Sequence, residues 1–181
     1  MTEITKTPPP IERFILHWGD MGVYWGVNRS VAQIQALLLM ADAPMTAEDI
    51  ATALGLARSN VSNSLKELMA WNLVRRTPIQ GDRRDHFEAE KDVWEVASRI
   101  AAGRKAKEID PALAVLRASV AEAETGAAVS PQALKQLKAM LEFTETMDRW
   151  YGQITTVARP KLMALVKLGA KIAALLPGGK G

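Results

Sequence analysis

The chain has no cysteine, two histidines and three phenylalanines among its 181 residues. Without thiols there are no disulfides, no thiolate metal sites and no cysteine redox switch. His17 and His86 stand far apart, which gives a metal little to hold. The run Asp85, His86, Glu88, Glu90 alternates along an expected strand and reads as a solvated β-face. No N-terminal segment combines a basic start, an apolar run and a small-residue cleavage site, so the chain is expected in the cytoplasm. No apolar run is long enough to cross a bilayer. The best candidate, residues 162–176, contains Lys167 and Lys171, and its use is packing in a core or dimer rather than membrane binding. Phosphate-loop glycines are missing, and Gly19, Gly22 and Gly26 do not follow a strand as a dinucleotide fingerprint requires. With no nucleophile and base at recognisable spacing, neither an enzyme nor a cofactor is expected.

Charge is present but uneven. The formal net charge is +3, yet residues 58–84 alone carry Arg58, Lys66, Arg75, Arg76, Arg83 and Arg84 against Glu67 and Asp82. Residues 159–181 add five cations and no acid, while the segments 1–57 and 85–158 are each net acidic. Positive charge gathered in one short segment is what phosphate contact requires.

That segment lies inside residues 46–89, which read as a winged helix-turn-helix. Thr46 caps a helix with Glu48 and Asp49 in its first turn, and Gly55 ends it. A second helix spans residues 58–70. At about 100° per residue, Val61, Leu65 and Leu68 share one side, and Ser59, Ser62, Asn63 and Lys66 the other. Short polar groups with one cation form a face able to enter a major groove, although a merely solvated face looks the same. Residues 73–77 and 85–89 read as two strands, joined by a turn over 78–84 that contains Gly81. The hairpin carries Arg75, Arg76, Arg83 and Arg84.

Before this unit, residues 1–10, with three prolines, read as an extended arm. Residues 11–18 form a short helix, and GDMGVYWGVN, rich in glycine, reads as a loop or broken helix. A helix resumes over 30–41. After the wing, helices are expected over 90–108, from Asp110-Pro111, and from Ser130-Pro131 to about residue 157. The last has a seven-residue rhythm in Leu134 and Leu141, in Leu137 and Tyr151 about Thr144, and in Met140, Met147 and Ile154, so it needs a partner. Arg159-Pro160 restarts a final helix over 162–176 before a PGGKG tail.

The run LGLARSNVSNSLKELMAWNLVRR, followed by GDRRDHFEAEKDVWEV, resembles the GbsR-like branch of the MarR superfamily of transcription regulators. The exit EAEKDVW is its more specific part. The resemblance reaches more weakly into FILHWGDMGVYWGVNRSVAQIQALLLM and fades after residue 110. It implies a mainly α fold, in which a winged helix-turn-helix with a small β-hairpin wing is flanked by long N- and C-terminal dimerisation helices. The division is then 1–29 arm and helix, 30–103 DNA-binding domain, and 104–181 C-terminal dimerisation region.

The resemblance also implies a homodimer on palindromic double-stranded DNA. Ser59, Asn60, Ser62, Asn63 and Lys66 then fall on the recognition helix, beside Arg58. Asp82 and Arg84 fit the Asp-x-Arg pattern of the wing, the Arg entering the minor groove and the Asp holding it, with Arg83, Arg75 and Arg76 as neighbouring cations. Two positions depart from the pattern. Ala57 replaces a capping Ser, leaving Ser59 or another group to cap, and Asn72 replaces a Gly after Trp71 but tolerates the left-handed backbone. The branch is named for a regulator that responds to choline, so Trp18, Tyr24, Trp25, Trp150 and Tyr151 are candidates for a quaternary-ammonium cage. Filling of a dimer core is the competing use of these rings, and Trp71 and Trp94 are expected in the winged-domain core.

The reading is a DNA-binding regulator, a repressor before an activator. A winged protein-interaction scaffold and a small enzyme built on the aromatic loop are the alternatives.

Overall fold

The computed structural model describes residues 8–126 and 128–168. Residues 1–7 of the extended arm expected over 1–10, the end of the last helix beyond 168 and the PGGKG tail lie outside these residues, and the arm is corrected at Pro9 and Pro10, which already belong to a helix. The chain divides into two compact units, Met1–Lys105 and Ala106–Gly181.

In the first unit, α1 (Pro9–Tyr24) packs on α2 (Arg29–Met40). Helix α1 starts on its prolines, because Pro9 and Pro10 occupy first-turn positions whose N–H groups need no partner. It also corrects the expectation of a broken segment after residue 18. Gly19 and Gly22 are buried within a continuous helix. A Cβ on Gly19 would lie 2.6 Å from Gln33 Cγ, and one on Gly22 would lie 2.6 Å from Ala32 Cβ. The glycines therefore serve close helix packing, and their helix-breaking tendency of about 1 kcal/mol each is overridden by burial. Asn28 caps α2, accepting from the Ser30 amide at 2.9 Å.

Helix α2 is the centre of the unit, with nine consecutive buried residues from Ser30 to Leu38. Around it stand β1 (Met45–Thr46), α3 (Ala47–Leu54), α4 (Arg58–Ala70), β2 (Val74–Arg76), β3 (His86–Ala89) and α5 (Val93–Arg104). Val61, Leu65 and Leu68 bury the apolar face of α4 as expected, each at 2% exposure or less. No side chain caps α4 at Ala57, so neither Ser59 nor another side chain replaces the missing Ser. Asn72 takes the left-handed backbone that the turn into the wing needs, with φ 56°.

The sheet is antiparallel in the order β1-β3-β2, with Thr46 opposite His86 and Arg76 opposite Phe87. Strand β1 was not anticipated, and it makes β3 a central strand. The solvated face expected for Asp85, His86, Glu88 and Glu90 is consequently corrected at His86, which is buried, while Asp85 stays exposed and Glu88 and Glu90 are partly covered.

The exit EAEKDVW lies largely outside a helix, which corrects the expected helix start at residue 90. Glu90 binds Arg99 at 3.1 Å, and Lys91 Nζ donates to the carbonyls of Leu38, Leu39 and Ala41 at 2.9, 2.8 and 2.7 Å. Asp92 caps α5, accepting from the amides of Trp94 and Glu95. One short segment thus fastens the wing to α2 and α5. A π turn (Lys105–Ile109) follows α5.

The second unit contains α6 (Asp110–Thr125), α7 (Pro131–Thr155) and α8 (Arg159–Leu168). Ser130 caps α7 at the Ala133 amide. Leu113 and Val120 of α6 are buried, and Arg117 binds Glu145 of α7 at 2.9 Å. The rhythm of α7 splits into two faces. Leu134, Leu137 and Leu141 are partly covered, whereas Met140, Phe143, Met147 and Trp150 are 42 to 66% exposed. Among the described residues no helix is long and apolar enough to cross a membrane.

The start of α3 is a full capping box. Thr46 Oγ1 accepts from the Asp49 amide at 3.1 Å and donates to the Asp49 carboxylate at 2.6 Å, and that carboxylate accepts from the Thr46 amide at 3.1 Å. The Thr46 hydroxyl is the main reason that the Asp49 carboxyl titrates below its ordinary value. A lowered carboxyl stabilises the fold above its unfolded value, about pH 4, and loses that contribution as pH falls through the folded value. Asp49→Asn is therefore expected to cost about 1 kcal/mol at neutral pH, with the deficit shrinking below about pH 4. Thermal unfolding followed by circular dichroism across that range checks it, and a deficit independent of pH would contradict it.

Candidate nucleic-acid interface

Helix α4 places its polar residues by rotation alone. With Val61, Leu65 and Leu68 against α2 and α3, the side chains of Arg58, Ser59, Ser62, Asn63 and Lys66 are left exposed. Asn60 does not join them. Its amide donates to Ser30 Oγ at 2.9 Å and its carbonyl oxygen accepts from Ser64 Oγ at 3.3 Å, so its polar atoms tie α4 to α2.

The wing brings its cations to the same side unequally. Arg84 is held by Asp82 through its backbone N–H at 2.9 Å, its Nε at 3.0 Å and its Nη2 at 2.5 Å. The Arg84 guanidinium is the main reason that the Asp82 carboxyl is held far below the usual carboxylate range. A fork with two parallel bonds fixes the direction of a guanidinium in a way that a single contact does not. Arg76 reaches Asp85 at 3.5 Å and lies 6.0 Å above the Phe87 ring. Arg75 is engaged elsewhere, its Nε 2.7 Å from Glu88 Oε1, which also accepts from Thr77 Oγ1 at 2.6 Å. These two donors, Thr77 first, lower the Glu88 carboxyl. Arg83 is exposed near the tip.

Between α4 and the wing runs a groove of about 290 Å³. Arg58, Ser62, Lys66, Arg76 and Arg84 line it together, over a floor that includes Leu65 and Phe87. Ser59, Asn60, Asn63, Arg75, Asp82 and Arg83 are not among its lining residues. Glu48 and Asp85 do line it, so two anions share the groove with four cations. Glu48 escaped the sequence reading because only the pairing of β1 with β3 brings the start of α3 beside the wing. A groove with polar side chains above an apolar floor and a surplus of positive charge suits an anionic backbone with a readable edge.

The aromatic candidates separate. Trp18 and Trp25 stand edge to face at 6.1 Å, and Phe14 lies 5.6 Å from Trp18. Both tryptophans line a small apolar cavity of about 60 Å³ inside the first unit, closed by Trp71, Leu68 and Ile100, with Glu67 and Arg104 at its polar edge. Tyr24 is 88% exposed and does not line it. Trp150 and Tyr151 belong to α7 in the second unit. Trp71 was missed as a cavity residue, although it follows Leu68 by three positions on the same helical side.

Residues 25–85 match the family model described as the MarR family. A solved structure described as a transcriptional regulator is similar at 18% identity, covering 80% of this chain and 95% of that one with a TM-score of 0.62, which shows a shared fold. A transcriptional regulator from Thermotoga maritima is 19% identical over 80% of this chain and 99% of that one, with a TM-score of 0.38. A complex of S. aureus MepR with DNA is 18% identical over 75% and 90%, with a TM-score of 0.36. No curated protein matches the chain.

The Asp82 fork makes a local prediction. Asp82→Ala removes the acceptor of the Arg84 amide, and exchange of that amide with solvent is expected to accelerate about five- to tenfold. Asp85→Ala is expected to leave it unchanged. Amide exchange measured by NMR decides, and equal rates in the wild type and Asp82→Ala would show that the fork does not order the wing.

Proposed function

We propose that this chain is a sequence-specific DNA-binding transcription regulator of the GbsR-like branch of the MarR family, a homodimeric repressor whose grip is modulated by a small molecule. The observation that carries the reading is the groove in which the exposed face of α4 and the Asp82-held Arg84 of the wing stand side by side. The family match over residues 25–85 falls on the same elements. In this reading α4 enters the major groove of a palindromic site, with Ser59, Ser62 and Asn63 at base edges and Lys66 and Arg58 at bases or phosphate. Arg84 enters the flanking minor groove while Arg83 and Arg76 meet the backbone. Asn60 and Arg75 contribute to the fold rather than to the duplex. Occupying a promoter requires no further surface, and nothing in this reading involves catalysis.

The dimer is supported by α7, which leaves Met140, Phe143, Met147 and Trp150 uncovered at helical spacing. A second copy would cover such a face. Two heads about 34 Å apart would then address successive turns of DNA. The effector is proposed to enter the cavity under Trp18, Trp25 and Trp71. A quaternary ammonium compound suits three indole side chains with the Glu67 carboxylate at an edge that Arg104 shares. Because Glu67, Leu68 and Trp71 lie on or just beyond α4, an occupant would press on the reading helix itself.

Binding to duplexes from the protein's own promoter region, followed by fluorescence anisotropy across a salt series, tests the main reading. Lys66→Ala and Arg84→Ala are each expected to weaken affinity about tenfold and to reduce the salt slope by about one. Arg75→Ala, with its guanidinium on Glu88, should change affinity less than about twofold. Weak binding that ignores salt and all three substitutions would favour a protein-interaction module instead.

Choline or glycine betaine titrated into the protein is expected to change tryptophan emission, and Trp71→Phe to diminish the response. An unchanged spectrum together with unchanged DNA affinity would remove the effector from the account.

A further inference from the structure

His86 is a buried titratable group that the groove leaves unused. It is 6% exposed at the centre of the sheet, opposite Thr46 of β1, and its backbone carbonyl accepts from the Thr77 amide at 2.9 Å. Its ring lies beneath the wing tip. Nδ1 is 3.0 Å from the carbonyl oxygen of Arg84, and Nε2 is 3.5 Å from Asp82 Oδ2.

The tautomer follows from the partners. Both neighbours can only accept, so a neutral ring can serve one of them, and the nearer, the Arg84 carbonyl at 3.0 Å against 3.5 Å for Asp82, puts the hydrogen on Nδ1. Nε2 then turns a lone pair toward a carboxylate oxygen, and two acceptors face each other. That same oxygen receives Nη2 of Arg84 at 2.5 Å and Nε at 3.0 Å. A second proton on the ring converts the opposed acceptors into a charge-assisted contact, with the imidazolium below Asp82 and the guanidinium above it.

We propose that His86 is the positioning residue of the wing tip: its doubly protonated ring steadies Asp82, Asp82 steadies Arg84, and the grip on DNA tightens as pH falls across the imidazole range. This rests on the DNA-binding reading given above.

The charges around the ring are few. The wing turn supplies Asp82 and Arg84, and α3 supplies Asp49, which senses both His86 and Arg84, and Glu48, which senses Arg84. Strand β2 carries Arg75 and Arg76, paired with Glu88 and Asp85. Helix α2 has a single charged residue, Arg29 at its first position, paired with Asp20. Asp49 and Asp82 are both held below the ordinary carboxylate value, so neither changes charge where an imidazole ordinarily does. The second proton belongs to the tighter form, and the affinity present at low pH is therefore lost as pH rises.

The test has two arms on the full chain. In the first, affinity for a promoter-region duplex is measured from about pH 8 to about pH 5.5 at constant ionic strength. The wild type and His17→Gln are expected to gain about fivefold toward low pH, while His86→Gln and Asp82→Asn stay within about twofold across the range. A pH gain in His86→Gln equal to that of the wild type would overturn the proposal. In the second arm, nitrogen NMR of the free protein reads the ring and the Arg84 side chain without DNA. The proposal expects the Nδ1–H tautomer at high pH and an Arg84 Nε–H resonance that shifts on acidification in the wild type and not in His86→Gln. An Nε2–H tautomer, or an Arg84 resonance indifferent to pH, would overturn it. If both NMR responses appear while no duplex binds at any pH, the hold of His86 on Arg84 is supported and the DNA reading falls.

Discussion

Helix α2 has no solvent side through most of its length, and that burial is the constraint on which the first unit depends. A helix buried all round must be held from every direction, and its neighbours are fixed by holding it. Gly19 and Gly22 let α1 approach it closely, the apolar face of α4 packs against it, and Asn60 of α4 reaches Ser30 near its start. At the other end, Lys91 brings three N–H donors to carbonyls that have no partner inside the helix, where a cation also meets the negative end of the dipole. Lys91 stands two residues past the end of β3, so the base of the wing is anchored to the same helix that carries the back of α4. The separation between the polar face of α4 and the wing is therefore set by packing rather than by the groove's own charges.

Those charges act on that fixed frame. Exposed ion pairs such as Arg84 with Asp82 or Arg75 with Glu88 contribute little to stability, commonly between about 0 and 1 kcal/mol. Their consequence is orientation. Asp82 spends one negative charge to aim one guanidinium, while Glu88 keeps another away from the groove. In the proposed function the difference between Arg84 and Arg75 is thus one of direction rather than of charge. The same reasoning gives His86 a use that its burial alone does not explain.

Much of this was legible because it is local. The periodicity of Val61, Leu65 and Leu68, the cap at Thr46, the stop at Gly55 and the left-handed Asn72 all express preferences within a few residues. Features set by distant parts of the chain were not. The glycines of α1 read as breaks because the Gln33 and Ala32 side chains that need their absence of Cβ lie on another helix. His86 read as a surface residue because β1, two residues long, gives no pattern of its own yet turns β3 into a central strand. EAEKDVW could be recognised as distinctive, but its physical reason, a lysine on the end of α2 and an aspartate on the start of α5, needed the fold. The rhythm of α7 was visible, whereas its division into a covered and an uncovered face depends on where α6 packs.

The central claim is that two such heads, each a reading helix with an adjoining wing, act together on one duplex. Hydroxyl-radical footprinting of the protein's own promoter region tests it most directly. The account predicts two protected patches related by symmetry, their centres about 34 Å apart or a multiple of that spacing, each with protection extending into the flanking minor groove. A single unpaired patch, or uniform protection that does not depend on sequence, would contradict it.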